Sequence, residues 1–192
     1  MKRAGFILTG GRSSRMGTDK ALLPWRNTTM VEYAAQIMRS AAGSVTLIGE
    51  PDRYRNLGLP CIADIRPGLG PLAGLETALS ATQTCWNMIL PCDMPGIDAG
   101  TLLRLCQAAD RSSSQAVLLR DSEGVVHPLC GLYRRDCLPE IQSALDAGQL
   151  RVMDVAALLH PAYVDIAFSI PNINTPEQWT AAIHSCEPFH GH

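Results

Sequence analysis

A segment close to the N-terminus combines glycine backbone with positive charge. The apolar run at residues 4–8 predicts a buried strand, and residues 8–20, which read LTGGRSSRMGTDK, break that pattern at once. Gly10 and Gly11 have no Cβ, so backbone N–H groups there can approach a ligand closely. Three cationic side chains lie in the same segment: Arg12, Arg15 and Lys20. Such a loop can bind a polyphosphate, although an ordinary basic surface loop has the same composition.

Two common phosphate-binding motifs do not fit this segment. A Walker loop requires G-x-x-x-x-G-K-[ST], whereas five residues separate Gly11 from Gly17 and Lys20 comes three positions after Gly17. The dinucleotide fingerprint G-x-G-x-x-G is also absent, since the run at residues 68–74 misses it by one residue. The common kinase and dehydrogenase motifs are therefore excluded.

Two aspartates directly follow predicted strands. Asp93 comes after the apolar strand at residues 86–90, which is expected at the centre of the sheet, and Asp64 follows a shorter strand at residues 60–63. A carboxylate at such a position either caps the next turn or binds a divalent metal. Mg²⁺ prefers oxygen ligands and keeps one or two carboxylates, with substrate phosphates filling other positions. Opposite a phosphate-binding loop, Asp93 is therefore predicted to bind Mg²⁺.

Two other polar positions have two interpretations each. Asn174 lies two residues after Asn172, hence on the same face of an extended segment. Asn174 can supply a second oxygen ligand to the metal, or both amides can shape the turn before the last helix. His127, which precedes Pro128, can act as a general base or can be a polar residue in a strand.

Strands and helices alternate through the first half of the chain, as hydrophobic periodicity and capping signals indicate. Beyond the strands already named, the first half is predicted to contain an apolar stretch at residues 21–25, helices at 30–42, 52–57, 72–81 and 99–109, and a strand at 45–48. The second half is predicted to contain a hairpin of strands 115–119 and 125–133, helices at 136–147 and 152–159, a strand near 163–166, and a helix that the Thr175 capping box opens. The pattern predicts right-handed βαβ units in a three-layer α/β/α fold, with a mostly parallel twisted sheet and a small antiparallel portion in the second half.

The predicted site residues converge on one edge of this sheet. The cationic segment, Asp64, the glycine run at 68–74 and Asp93 all follow predicted strands. Parallel α/β sheets bind ligands beyond the carboxyl ends of their strands. This convergence favours a phosphate site over a basic surface loop.

Composition excludes several classes of protein. The 192 residues are 46% hydrophobic and 18% charged, as is typical of a globular protein. A net charge of −2 argues against a dedicated nucleic-acid binder. No window approaches the roughly 18 apolar residues of a membrane span, so a cytoplasmic protein is expected. The seven cysteines are odd in number and form no C-x-x-C, so neither a zinc site nor a disulfide framework is indicated.

The segment at residues 8–20 resembles the L-[AT]-G-G-x-S-x-R-M-G-x-D-K signature of the molybdenum cofactor guanylyltransferases, within the MobA-like nucleotidyltransferase family. Further motifs match that family in the same order over nearly the whole chain: Gly70-Pro71-Leu72-Ala73-Gly74, Pro91-Cys92-Asp93-Met94-Pro95, His127-Pro128, Arg151-Val152-Met153 and Asn172-Ile173-Asn174-Thr175-Pro176. The resemblance implies a Rossmann-like nucleotidyltransferase fold in a single domain, residues 1–192. Residues 1–110 would form a nucleotide-binding half and residues 111–186 a cofactor-substrate half.

That family joins GMP from GTP to molybdopterin carrying molybdenum and releases pyrophosphate, with Mg²⁺ as the cofactor. By resemblance, GTP contacts are expected at Leu8, Thr9, Gly10, Gly11, Lys20, Asp64 and Asp93. Arg15 and Lys20 are expected to stabilise the charge of the leaving pyrophosphate, and Asp93 to hold the metal, with Asn174 as its second ligand. These three, Arg15, Lys20 and Asp93, are the expected catalytic residues.

The chain departs from the family at the end of the second strand. It reads Gly49-Glu50 where the family often has an asparagine that contacts the nucleotide, so this contact is left unassigned. The phosphate contacts would serve CTP equally well, and a molybdopterin cytidylyltransferase is the closest alternative. A non-catalytic protein that delivers the molybdenum cofactor is the other. The expected partners are GTP, molybdopterin and cofactor-insertion proteins or apo-molybdoenzymes, without nucleic acid or membrane, and the chain is expected to be a monomer.

Overall fold

The computed structural model describes residues 2–9, 19–170 and Trp179. Within these residues the strands are β1 Arg3–Leu8, β2 Pro24–Trp25, β3 Thr28–Thr29, β4 Thr46–Ile48, β5 Cys61–Ile62, β6 Trp86–Pro91, β7 Ala116–Arg120, β8 Val126–Arg134 and β9 Ala162–Asp165. The α-helices are α1 Met30–Ala42, α2 Pro51–Tyr54, α3 Pro71–Ser80, α4 Ala99–Arg111, α5 Leu138–Asp146 and α6 Val152–Leu158. Short 3-10 turns lie at Lys20–Leu22, Arg55–Leu57 and Arg135–Cys137.

Seven of these strands form one sheet in the order β5-β4-β1-β6-β8-β7-β9. Neighbouring strands in it are parallel, except that β8 runs antiparallel to both β6 and β7. The β7–β8 pair is the predicted hairpin, and the apolar strand β6 lies at the centre. The mostly parallel sheet with a small antiparallel portion in the second half is therefore confirmed.

Side chains of each strand alternate between the two faces of the sheet. In β1, Ile7 packs in the cluster that contains α1 and α4, whereas Phe6 and Leu8 pack in the cluster that contains α3, α5 and α6. Because both faces are covered, Met88 and Ile89 in β6 are fully buried although they point in opposite directions. The three-layer α/β/α architecture is confirmed.

Local signals set the helix ends where the sequence predicted them. The Thr29 side chain accepts a hydrogen bond from the Glu32 backbone, and the Glu32 carboxylate accepts one from the Thr29 backbone over 2.9 Å, which completes a capping box. Gly43 ends α1 with a φ of 77°, in the left-handed region that glycine favours. Asp98 caps α4 by accepting a hydrogen bond of 2.7 Å from the Thr101 backbone.

Three predicted elements are divided differently in the structure, and one of them is the helix predicted at residues 52–57, which consists of α2 and the 3-10 turn Arg55–Leu57. The apolar stretch at residues 21–25 divides into the turn Lys20–Leu22 and strand β2, which forms a separate antiparallel ribbon with β3. Strands of two residues are too short to show a periodicity, so no pattern indicated them. The helix predicted at 136–147 begins instead as the 3-10 turn Arg135–Cys137 and continues as α5.

The chain end lies mostly beyond the described residues. The last helix, predicted from Thr175, falls there apart from Trp179, whose ring centroid lies 5.7 Å from that of Trp25. In the described part, no helix has the length and apolar character that crossing a membrane requires.

Candidate active site

Backbone hydrogen bonds hold the carboxyl ends of β4, β1 and β6 side by side. Leu8 is paired with Ile48 on one side and with Pro91 on the other. Just beyond the strands, the Thr9 N–H donates to the Ile48 carbonyl over 3.0 Å and the Cys92 N–H donates to the Leu8 carbonyl over 3.1 Å. The segments that leave these three strands therefore start from one fixed row, at the edge where parallel α/β sheets bind ligands.

Lys20 and Asp93 meet at this edge. The Nζ of Lys20 lies 3.7 Å from the Oδ2 of Asp93, and the two side chains are 17% and 33% exposed. The structure thus brings together the cation and the carboxylate that the sequence assigned to one site. Because the pair is partly exposed, it contributes little to folding, about 0–1 kcal/mol.

The side chains of Leu8 and Thr9 are both buried at this edge. The Leu8 side chain packs in the cluster under α3. The Thr9 side chain is buried, and its Oγ1 donates to the Ile48 carbonyl over 2.9 Å. The predicted GTP contacts of Leu8 and Thr9 stay predictions, since their main-chain groups at this edge are hydrogen-bonded to Ile48, Cys92 and Tyr54.

Asp64 follows β5 and has a carboxylate oxygen without a partner. Its Oδ1 is buried and takes part in no hydrogen bond with the described residues. Burial raises the pKa of this carboxyl because the charged form loses hydration. Gly74 in α3 leaves room beside it, since a Cβ there would lie 3.6 Å from Asp64 Oδ1 and 3.2 Å from Leu8 Cδ2. Buried acceptors in folded proteins normally have a hydrogen-bond donor, and a bound ligand that supplies the donor would explain why Asp64 lacks one.

Asp64 and Asp93 lie at the same edge of the sheet but on strands that are not neighbours. Strands β4 and β1 separate β5 from β6. Neighbouring strands are about 4.8 Å apart, so the axes of β5 and β6 are separated by about 14 Å. Carboxylates on strands that far apart are suited to contact different parts of one extended ligand.

The glycine-rich segment between β5 and α3 is tied to two helices. The Nε of Arg66 lies 3.1 Å from Oε2 of Glu76 in α3, and its Nη1 lies 2.5 Å from Oδ1 of Asp146 in α5. Glu76 is buried, whereas Asp146 is exposed. Gly68 and Gly70 then adopt φ angles of 87° and 78°, which only glycine adopts without strain. The predicted glycine run therefore begins next to Arg66, which its two ion pairs hold in place, and leads into α3.

His127 lies near the start of β8, on the same edge of the sheet, because β8 runs antiparallel to β6. Its Nε2 is 2.9 Å from Oδ2 of Asp121. Asp121 also accepts backbone hydrogen bonds from Glu123 over 3.0 Å and from Val125 over 2.9 Å. The hydrogen bond with His127 is the main cause of the lowered pKa of Asp121. This pair closes the turn between β7 and β8, which gives His127 a structural function.

Four predicted site residues lie outside the described part of the chain: Gly10, Gly11, Arg15 and Asn174. Their functions stay predictions. In the ranges 2–9 and 19–170, no group of three or more His, Cys, Asp and Glu side chains could hold a metal ion by itself. A metal at Asp93 would therefore need further oxygen ligands from the substrate or from the other residues, as Mg²⁺ sites commonly have.

Two residues not singled out from the sequence, Asp19 and Tyr54, are hydrogen-bonded next to the turn that begins at Lys20. Asp19 accepts a hydrogen bond of 3.0 Å from the Ala21 backbone and so caps the turn Lys20–Leu22. The buried hydroxyl of Tyr54 donates to Asp19 over 2.9 Å. Asp19 carried a usable signal, since aspartate is a preferred capping residue. Tyr54 carried none, because its partner lies 35 positions away in the chain.

A family model described as the MobA-like NTP transferase domain matches residues 5–161. Among curated proteins, a probable molybdenum cofactor guanylyltransferase from Flavobacterium johnsoniae is 33% identical over 177 residues, which cover 90% of this chain and 92% of that protein. A molybdenum cofactor guanylyltransferase from Xanthomonas euvesicatoria pv. vesicatoria is 35% identical over 190 residues, or 94% of each chain.

A crystal structure of molybdopterin-guanine dinucleotide biosynthesis protein A from Archaeoglobus fulgidus has the same fold. The TM-score is 0.79, with 95% of this chain and 98% of that chain covered, at 19% sequence identity. At that level of identity the likeness shows the fold alone.

Proposed function

The chain belongs to the MobA-like NTP transferase family, and from this membership we propose that it transfers GMP from GTP to molybdenum-molybdopterin. The products are molybdopterin guanine dinucleotide and pyrophosphate. The observation that carries the proposal is the Lys20–Asp93 pair, 3.7 Å apart at the carboxyl edge of the sheet. It lies in a chain that matches a molybdenum cofactor guanylyltransferase at 35% identity over 94% of its length.

The reaction needs charge neutralisation more than proton transfer. An oxygen of the terminal phosphate of molybdopterin attacks the α-phosphorus of GTP, which forms the new P–O bond. The bond from the α-phosphorus to the bridging oxygen of the β-phosphate breaks, and its electron pair leaves with pyrophosphate. Because the nucleophile is already an anion at neutral pH, no strong general base is required. Catalysis then rests on positioning and on stabilising negative charge.

The residues of the edge fit a divalent metal, which we infer to be Mg²⁺. Asp93 presents a hard carboxylate that is one-third exposed, as a ligand shared with substrate phosphates requires. Asp93 would hold the ion, and Asn174 would add a second oxygen. When bound, Mg²⁺ neutralises charge on the phosphate oxygens and orients them. Lys20 brings a positive charge next to Asp93 and would contact the pyrophosphate portion of GTP. Arg15 and the backbone of Gly10 and Gly11 would contact the same phosphate groups.

Asp64 would bind the nucleoside portion of GTP. Its buried, unpartnered oxygen needs a donor, and a ribose hydroxyl or a base N–H supplies one. The separation of about 14 Å between the axes of β5 and β6 keeps this contact apart from the phosphates at Asp93. One extended nucleotide along the edge would then satisfy Asp64 at one end and Lys20 at the other.

Nucleotide selectivity tests the proposed function. GTP, CTP, ATP and UTP are titrated into the protein by calorimetry with Mg²⁺, and pyrophosphate release is then measured with molybdenum-molybdopterin. GTP is expected to bind in preference to the other three and to support turnover. Preference for CTP would replace the proposed function by cytidylyl transfer, and binding without pyrophosphate release would indicate cofactor delivery.

A further inference from the structure

Tyr54 is a buried aromatic residue whose only polar atom points toward the nucleotide edge. It lies at the end of α2 and is 1% exposed. Its hydroxyl is 2.9 Å from Oδ2 of Asp19 and 3.4 Å from the carbonyl of Thr9. The single hydroxyl proton is donated mainly to the nearer, charged acceptor, so the main contact is with Asp19.

Asp19 uses both of its carboxylate oxygens. Oδ1 accepts the hydrogen bond from the Ala21 backbone, which caps the turn that begins at Lys20. Oδ2 accepts from Tyr54 and lies 3.6 Å from Nη1 of Arg53. The orientation of the Lys20–Leu22 turn is therefore fixed from α2 through the Asp19 side chain.

The surroundings of Tyr54 are built to accommodate its ring. A Cβ at Gly49 would collide with Oγ1 of Thr9 and would come within 3.2 Å of Cε2 of Tyr54. Glycine at the end of β4 thus makes room for the ring beside β1. A larger residue at position 49 would therefore displace Thr9 and press on the Tyr54 ring.

The Tyr54 hydroxyl is a fixed donor rather than an acid or a base. Burial raises its pKa above the ordinary value of 10.0, and the negative charge of Asp19 acts in the same direction. The hydroxyl stays protonated at any pH at which the protein would work. It can therefore hold Asp19 in place, but it cannot exchange a proton with a substrate.

We propose that Tyr54 is a positioning residue that acts through Asp19 to hold Lys20 opposite Asp93. The inference rests on the proposed function for its catalytic consequence. In the observed orientation of this turn, the Nζ of Lys20 lies 3.7 Å from Oδ2 of Asp93. Displacements of about 1 Å in such a group can cost on the order of 100-fold in rate.

The first test uses the small number of lysines in the chain. Lys2 and Lys20 are the two that it contains. Lys2 is exposed, whereas the Lys20 side chain is 17% exposed. Acetic anhydride labels both amines, and mass spectrometry gives the labelling rate of Lys20 relative to Lys2. Tyr54→Phe, which keeps the ring and removes the hydroxyl, is expected to raise that ratio several-fold.

The control is Tyr133→Phe, which also removes a buried hydroxyl. Tyr133 is fully buried in β8, and its hydroxyl donates to the Pro128 carbonyl. This variant is expected to leave the Lys20 to Lys2 ratio unchanged. An unchanged ratio in Tyr54→Phe, or an equal rise in both variants, would overturn the proposal. This readout does not depend on GMP transfer, so it tests the contact even if the wild-type protein proves to have another activity.

The second test is a double-mutant cycle on turnover. Tyr54→Phe is expected to lower kcat at least about tenfold, while the Kd of GTP changes less than about threefold. In the Lys20→Ala background, the same substitution is expected to have no further effect, because its effect passes through Lys20. A full additional loss in that background would show a general structural defect and would contradict the positioning function. Absence of GMP transfer by the wild-type protein would instead refute the proposed function.

Discussion

At the scale of single residues, burying the Asp64 carboxylate costs folding free energy, and a bound ligand would offset part of that cost. Its pKa is raised from an ordinary value of 3.8, because burial penalises the charged form. A group with a raised folded-state pKa stabilises the fold at low pH, and this contribution is lost as the pH rises through that pKa. Above that pKa the Asp64 carboxylate is therefore a cost to stability, which a ligand donor to Oδ1 would offset.

A neutral side chain at position 64 should raise the stability of the protein and weaken its binding of GTP. Asp64→Asn is expected to raise the melting temperature at pH 7, since a neutral amide costs less to bury than a carboxylate. It should weaken GTP binding about tenfold to 100-fold, because a hydrogen bond to a charged acceptor is lost. Thermal scans and calorimetry measure the two effects. Asp154→Asn, on the exposed side of α6, is the control, and equal effects from both variants would contradict this function of Asp64.

Asp93 is expected to affect turnover much more than stability. Asp93→Asn should lower kcat at least about 100-fold at limiting Mg²⁺, while the unfolding free energy changes by less than about 1 kcal/mol because the Lys20 pair is partly exposed. A kinetic titration with Mg²⁺ measures the first effect and urea unfolding the second. Asp110→Asn is the matched control, since it removes a carboxylate paired with Arg3 at the opposite edge of the sheet. Full Mg²⁺-dependent turnover in Asp93→Asn would refute the metal assignment.

At the scale of elements, the sequence predicted the features that residues close together in the chain determine, such as helix ends. Thr29, Gly43 and Asp98 set helix ends because each acts on backbone groups within one turn of itself. The Tyr54–Asp19 contact was not predictable in this way, because its members come from different elements and the sequence holds no periodicity that links them. The predicted placement of Lys20 and Asp93 at one edge followed from the expectation that both segments leave carboxyl ends of parallel strands, rather than from either residue alone.

The segment after β5 depends on its anchor in α3. Arg66→Ala would leave the Glu76 carboxylate, 1% exposed, without its ion-pair partner. The expected loss in unfolding free energy is about 2 kcal/mol, lower than for a fully buried pair because Arg66 is partly exposed. Urea unfolding measures this. Asp146→Asn removes the other, exposed partner of the same arginine and should cost less than about 1 kcal/mol. Equal losses in the two variants would show that Glu76 does not depend on Arg66.

At the scale of the whole molecule, alternation of strands and helices was enough to predict a mostly parallel sheet with both faces covered. It was not enough to predict that β8 enters between β6 and β7. That insertion depends on pairing between strands about 40 residues apart, such as Met88 with Leu132, and such pairing is decided by packing in the folded chain. Four predicted site residues lie outside the described part, so the sequence prediction of their functions has not been tested.

The way stability changes at acid pH is expected to depend on the carboxyl groups that accept hydrogen bonds in the folded protein. Among the described residues, four carboxyl groups have lowered pKa values whose largest cause is a hydrogen bond: Glu32 with Thr29, Asp98 with Thr101, Asp121 with His127 and Asp165 with Arg120. A lowered folded-state pKa stabilises the fold above the unfolded value, and this contribution is lost as the pH falls through the folded value. The urea midpoint should therefore change little from about pH 8 to pH 5 and fall below about pH 4.

One variant isolates a single member of this set. Asparagine caps a helix about as well as aspartate but does not titrate, so Asp98→Asn should match the wild-type protein closely at pH 7 and lose less stability between about pH 5 and pH 2. Urea unfolding at each pH gives the two curves. If they stay parallel through the acid range, then Asp98 does not contribute to the acid transition. If the variant is instead much less stable at pH 7, the charge itself stabilises α4 through the dipole of its first turn.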